Sequence, residues 1–229
     1  MLHSSKFLIL KDLDLFKSLD DNQIEQIANQ ATFEKFKKNS YLFDVGDPIK
    51  SVFIINKGSV KIGLNTSNDK VLIKEIVYGK ELVGENILPG HATRRQFAHV
   101  LSDTEVFKLS VTFFKSLLEK NPQLCQALTE ILIQKMANLE DRMSNFVFKK
   151  AHNRIVDFLK NLAQLKGIKI GLDEILINHG LSHKEIANIT DTSRQTVARV
   201  LGELKRQNII HFSTRKPHKI LIRNVLSLS

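Results

Sequence analysis

The sequence predicts an α+β protein of two parts, an all-β unit toward the N-terminus and a basic helical unit toward the C-terminus, with a long helix between them. Three observations predict it. Short β-branched and aromatic segments recur between turn signals from Ala31 to Leu109. A helical period runs from about Val111 to Phe146. Residues 181 to 210, LSHKEIANITDTSRQTVARVLGELKRQNII, read as two short helices and a tight turn with a basic, hydroxyl-rich outer face.

Residues 13 to 30 are helical in pattern, with Leu15, Phe16, Leu19, Ile24 and Ile27 on one side and Asp20 and Asp21 placed to start a second short helix. The period then changes. Tyr41 to Phe43, Ser51 to Ile55, Ser59 to Leu64 and Lys70 to Val77 read as strands, separated by turns at Val45-Gly46-Asp47-Pro48, Asn56-Lys57-Gly58 and Asn68-Asp69. Strands this short and this regularly spaced suggest a sandwich, a jelly roll or a small barrel.

The long helical stretch breaks near Asn121-Pro122, where proline is well placed to open a new helix. Beyond the break, Leu128, Leu132, Met136, Leu139, Met143 and Phe146 are spaced by three or four residues, the narrow seam of a helix that packs against a copy of itself. Packing on its own β unit is the alternative. Another helix is expected over Phe148 to Ala163, with Ile155, Val156, Phe158, Leu159 and Leu162 inward, followed by a loop and short strand over Lys166 to Ile177.

In the helix pair, Leu181, Ile186, Ile189, Val197, Val200, Leu201 and Leu204 fall at core spacing, while Ser193, Arg194, Gln195 and Arg199 point outward. Arginine suits guanine, glutamine suits adenine, and a hydroxyl at a helix start suits phosphate. Ile209 to Phe212 and Lys219 to Ile222 then form a hairpin of the winged type around Thr214 to Pro217, with Arg215, Lys216 and Lys219 set for phosphates.

The charge is uneven in the same sense. From Ser144 onward there are 15 Lys+Arg against 6 Asp+Glu, so +9 of the total +10 lies in that part of the chain. This is the footprint of one unit facing a polyanion, while the other does something else. No apolar run approaches the ~18 residues that span a bilayer, so a membrane partner is not expected. The opening residues hold only the four-residue apolar stretch Phe7 to Leu10, unlike a secretory signal. The single cysteine, Cys125, excludes an intramolecular disulfide and a cysteine-rich zinc or iron-sulfur site, and suits a cytoplasmic chain.

Several segments, in order, carry a family likeness: VFIINKGSVKIGL around Gly58, YGKELVGENIL, the stretch through Phe148, Arg154, Ile155 and Leu162-Ala163, and TSRQTVARVLGELKRQNII. Together they resemble the cyclic-AMP receptor protein (Crp/Fnr) family of bacterial transcription regulators along nearly the whole chain. The resemblance implies a sensory β-roll (jelly-roll, cyclic-nucleotide-binding-like) with N-terminal helices over 1–120, a dimerisation helix over 121–147 and a winged helix-turn-helix DNA-binding domain over 148–229. It implies that Arg194, Gln195 and Arg199 read bases and that Ser182, Lys184, Ser193 and Thr196 hold phosphates. It also implies a homodimer on a two-fold symmetric operator in double-stranded DNA, with RNA polymerase as a candidate partner. Glutamine at 195, where the cyclic-AMP receptor has glutamate, implies a half-site that differs from TGTGA.

The same resemblance places Gly84 and Glu85 at the start of a cassette for a ribose and phosphate, with Arg94, in preference to the adjacent Arg95, pairing the phosphate and Leu139 and Glu140 reaching the base. The chain departs from the cyclic-AMP pattern there. Arg95 stands where a small hydroxyl residue is expected, the loop LPGHAT is one residue short, and Leu139 and Glu140 replace hydroxyl residues. A small effector other than cyclic AMP is therefore expected, of unknown identity and with no certain cofactor. A cyclic-AMP-dependent regulator is the alternative, an empty pocket another, and haem sensing through His91 and His99 a third.

Two other classes compete. A cupin-like metalloenzyme needs a His-x-His pair followed by a carboxylate, and the eight histidines include no such pair, so catalysis is not expected. A scaffold protein predicts that Arg194 and Arg199 are dispensable for DNA binding.

Overall fold

A computed structural model describes residues 2–65, 71–85, 87, 92–213 and 219–223, with the side chains of residues 2–5 excepted. The expected turn at Asn68-Asp69, the loop residues Leu88 to His91 and the wing tip Thr214 to Pro217, with Arg215 and Lys216, lie outside the described residues. Two compact units are present, Met1–Asn138 and Leu139–Ser229.

The first unit opens with helix α1 (Leu2–Lys11), a 3₁₀ turn (Asp14–Phe16) and helix α2 (Asp21–Gln30). The sequence pattern does not announce α1, because its first turn carries no acidic residue to complement the helix dipole. Asp20 starts α2 as expected, its carboxylate accepting from Gln23 N while the Gln23 side chain accepts from Asp20 N. Strands β1 (Thr32–Phe36), β2 (Tyr41–Phe43), β3 (Ser51–Asn65), β4 (Val71–Tyr78), β5 (Leu82–Val83) and β6 (Phe97–Ser110) follow. All pair antiparallel, in the order β1-β6-β3-β4, with β2 on β6 and β5 on β3.

Asn56-Lys57-Gly58 does not end a strand. The chain runs through it as part of β3, and the pairing with β6 shifts register between Ile55, Lys57, Ser59 and Val60. Gly58 sits at φ 101°, and a Cβ there would collide with Thr104 Oγ1 and the Asp103 carbonyl. A bulge and a turn draw on the same residue types, so local signals do not separate them.

The run Val52-Phe53-Ile54-Ile55 is buried throughout because β3 is covered on both faces. Val52 and Ile54 join a core with Ile24, Ile27, Phe107, Phe114 and Leu124, whereas Phe53 and Ile55 join a core inside the roll with Val60, Val100 and Val106. The first core also seats helix α3 (Val111–Lys120) and the start of helix α4 (Pro122–Phe148), which divide at Pro122 as expected.

The seam expected on α4 splits in two. Leu124 and Leu128 are buried in their own unit and Leu132 packs at its margin, while Ile133, Met136, Met143, Phe146 and Val147 are more than half exposed. Among the described residues, no helix is long and apolar enough to cross a membrane.

The second unit continues with α5 (Ala151–Lys166), β7 (Gly167–Lys169), β8 (Ile175–Ile177), α6 (His183–Ile189), α7 (Arg194–Arg206), β9 (Ile210–Phe212) and β10 (Ile220–Ile222). The stretch read as a loop and one strand thus holds two, in a four-stranded sheet of order β7-β8-β10-β9. Leu181, Ile186, Val197, Val200, Leu201 and Leu204 are buried as their spacing requires, together with Ile155, Leu159 and Leu162 of α5; Phe158 and Ile189 are only half-buried.

Candidate nucleic-acid interface and effector cluster

The α6–α7 pair is built by two serine caps. Ser182 Oγ accepts from Glu185 N at 3.2 Å, and the Glu185 carboxylate accepts from Ser182 N at 2.8 Å, closing a capping box at the start of α6. Ser193 Oγ accepts from Thr196 N at 3.0 Å and lies 2.8 Å from Thr196 Oγ1. Both serine hydroxyls expected at phosphates are therefore engaged first in starting helices. They remain exposed, as does Lys184, while Thr196 is half-buried.

Arg194, Gln195 and Arg199 are exposed on α7, away from the buried Val197, Val200, Leu201 and Leu204. Arg199 donates from Nη1 to Glu203 Oε1 at 2.8 Å, one helical turn on. Glu203 is a partner that sequence reasoning passed over, although its i,i+4 spacing carries the signal. Beside this face Ala198 and Gly202 leave an open apolar hollow of about 440 Å³, lined also by Ile186, Phe212 and Ile220. The wing residue Lys219 leads into β10, and its N–H donates to Ser213 Oγ at 3.0 Å.

In the first unit the candidate effector residues separate by burial. Arg94 is 5% exposed, whereas its neighbour Arg95 is exposed, which singles out Arg94 of the two. Its Nη1 donates to the Gly84 carbonyl at 3.0 Å, its Nη2 donates to the Ser51 carbonyl, and its guanidinium lies 4.2 Å from the centre of the Phe43 ring. Its buried Nε has no hydrogen-bond partner among the described residues. Burial lowers the Arg94 pKa, and the nearby Glu85 and Asp47 carboxylates partly offset this. Gly84 is at φ 86°, a backbone conformation that favours glycine, and a Cβ there would press on the Arg94 guanidinium at 3.0 Å from Nη1.

Glu85, 6% exposed, is not free. Lys135 of α4 donates to its Oε1 at 2.7 Å and to Glu75 Oε1 of β4 at 3.3 Å. Burial lowers the Lys135 pKa, but the two carboxylates raise it by more, and the net shift is upward. Lys135 is a second residue that sequence reasoning missed, since nothing local on α4 distinguishes it from a solvated lysine. Leu139, half-buried, and Glu140, exposed, come one turn later on α4 and belong to the second unit. His99 sits on β6 with its ring edge-on to Tyr41 at 4.8 Å.

Residues 33–121 match the cyclic nucleotide-binding domain family, and residues 153–229 match the Crp-like helix-turn-helix domain family. Over 199 residues the chain is 27% identical to the global nitrogen regulator of Synechococcus elongatus, covering 86% of this chain and 87% of that one. It is 24% identical to the cAMP-activated global transcriptional regulator CRP of Haemophilus influenzae, over 83% of this chain and 85% of the relative. The fold matches that of FixK2 from Bradyrhizobium japonicum with a TM-score of 0.75 at 21% identity, covering 86% and 95% of the two chains. With a cyclic nucleotide-binding β domain ahead of a Crp-like helix-turn-helix, the chain belongs to the Crp/Fnr family of transcription regulators.

Proposed function

We propose that this regulator reads a two-fold symmetric operator as a cytoplasmic homodimer and is gated by a small effector other than cyclic AMP. The observation that carries the DNA part is the exposed trio Arg194, Gln195 and Arg199 on α7. Arg194 and Arg199 offer forked donors to guanine, Gln195 pairs with adenine, and Ser182, Lys184, Ser193, Thr196 and Lys219 hold the backbone on either side. Ala198 and Gly202, being small, let α7 lie close to the groove wall. The exposed apolar face of α4, with Ile133, Met136, Met143 and Val147 at steps of three, seven and four residues, is the surface that a second copy would cover. On this reading residues 1–120 sense, 121–147 dimerise and 148–229 bind DNA, with RNA polymerase as a further partner.

The sensory part rests on Arg94. A buried guanidinium whose Nε has no hydrogen-bond partner among the described residues is suited to an anionic oxygen, and Gly84 and Glu85 flank it. Glu85 is already paired with Lys135, and a sugar hydroxyl would have to compete with that ion pair. Leu139 and Glu140 offer no hydroxyl to a purine. Both features disfavour cyclic AMP.

Selection of duplexes from a randomised pool by the purified protein, followed by sequencing, tests the DNA reading. Inverted half-sites about one helical turn apart, differing from TGTGA at the pair read by Gln195, are the expected result. TGTGA returned unchanged would remove the role given to Gln195. Calorimetry with cyclic AMP tests the effector reading: the wild type should give no heat, and replacing Leu139 with threonine and Glu140 with serine should raise the affinity.

A further inference from the structure

Two arginines converge on the turn between α6 and α7. Arg142, near the end of α4, donates from Nε to Asp191 Oδ2 at 2.9 Å and from Nη2 to Asp191 Oδ1 at 2.7 Å, a two-pronged pair, and its Nη2 also reaches the Asn188 carbonyl at 3.1 Å. Arg154 of α5 donates from Nε to the Thr190 carbonyl at 2.9 Å and from Nη2 to the Asp191 carbonyl at 2.8 Å. Its Nη1 returns to the Lys149 carbonyl at 2.7 Å, at the junction of α4 and α5, and its guanidinium lies 5.2 Å from the centre of the Phe146 ring. The orphan carbonyls at the end of α6 are thus held by cations from two other helices, where the helix dipole favours positive charge.

Asp191 carries the turn in a left-handed conformation, φ 50°, which aspartate and asparagine tolerate better than most residues. Ser193, two residues on, caps α7, so the placement of Asp191 governs where the reading helix begins. Arg142 and Asp191 are each about one-fifth exposed, a partly dry setting in which a forked ion pair is directional.

We propose that the Arg142–Asp191 pair is a latch through which the last turns of α4 set the placement of α7, making both positioning residues for base reading although neither need touch DNA. Arg154 serves as the fixed base of the same turn. The inference rests on the DNA reading above, and it gives the long helix a defined point of purchase on the reading element.

The sign of one substitution separates the latch from simple electrostatics. Asp191 is a negative charge close to a face that meets a polyanion, so on charge alone Asp191→Asn should strengthen DNA binding. Asparagine keeps the left-handed turn but loses the charge-assisted fork. With the full-length protein and the duplex that the wild type selects, the latch predicts that Asp191→Asn weakens binding by about 10-fold, the size of a pair interaction within one network. Binding to an unrelated duplex of equal length should not weaken. Arg142→Ala should weaken selected-duplex binding by a similar factor, and the double variant should be no weaker than the weaker single one. Thermal melts by circular dichroism and amide exchange over residues 188–192 run alongside, and a local rise in exchange with an unshifted global melt is the expected pattern.

Equal or tighter binding of the selected duplex by Asp191→Asn, or losses that add in the double variant, would overturn the latch. So would a loss of affinity matched by a collapse of the global melt, which would make the pair a fold requirement. A wild type that enriches no duplex would instead remove the DNA reading itself, and this shows before any variant is made.

Discussion

The effector cluster of the first unit and the reading face of α7 in the second hold their polar groups in opposite ways. In the first, Glu85, Lys135 and Arg94 are mostly buried and paired, Glu85 with Lys135 at 2.7 Å and Arg94 with the Gly84 carbonyl at 3.0 Å. In the second, Arg194, Gln195 and Arg199 stand in solvent, and the one ion pair described among them, Arg199 with Glu203, is on the surface. Burying a charge is costly unless a partner meets it, so the first set is committed to its present partners and changes only by exchanging one for another. An exposed charge is worth little where it stands and gains its value when a polyanion arrives. The first arrangement suits a switch, the second a contact surface.

Breaking the committed side should have the largest effect. Lys135→Met leaves Glu85 buried without its cation, and we expect a loss of about 3 kcal/mol in the stability of the first unit, read from urea denaturation. A variant as stable as the wild type would show that Glu85 finds water or another donor.

Next comes the contact side. Arg199→Ala should cost about 2 kcal/mol in binding to the selected duplex while leaving the melting temperature unchanged, the reverse of the Lys135 pattern. Loss of stability without loss of affinity would put Arg199 in the wrong class.

Alkaline titration sharpens the comparison with no substitution. The Lys135 pKa is raised by its two carboxylates against the effect of burial, and Tyr78 is pushed up to about 12 by burial, with Glu81 adding. Both groups hold their protons more tightly folded than unfolded. Their contribution is therefore full below about pH 10 and is lost as pH climbs through the folded values. The denaturation midpoint of the first unit should be level between about pH 7 and 9 and fall above about 10. A midpoint that rises there would contradict the carboxylate pairing of Lys135 and the burial of Tyr78.

The smallest effect is expected at Glu203. Glu203→Gln removes a surface pair worth about 0.3–0.5 kcal/mol, so stability should barely move. Selected-duplex binding should tighten slightly, because Arg199 is released and a negative charge leaves the DNA-facing helix.

How much of this was legible in the chain differs by residue. The helix pair was legible because its core positions Leu181, Ile186, Val197, Val200, Leu201 and Leu204 keep helical spacing and are all buried. The β unit was legible in kind but not in detail, since Gly58 could mark a turn or a bulge, and only the partner strand β6 settled it as a bulge. The preference for Arg94 over Arg95 gained its physical basis from burial alone. Lys135, Arg142 and Asp191 carried no local signal, because each gains its meaning from a residue at least 49 positions away.

By itself the sequence determined the class of each segment, the two-part organisation, the asymmetry of charge and the outward face of α7. These depend on spacing of 2 or 3.6 residues and on residue chemistry, which act over one or two turns of chain. The tertiary structure alone decided that β3 is continuous, that Glu85 faces Lys135 and that the α6–α7 turn is held by Arg142 and Arg154. An ion pair or a bulge forms where two distant segments meet, and no local pattern carries the distance between them.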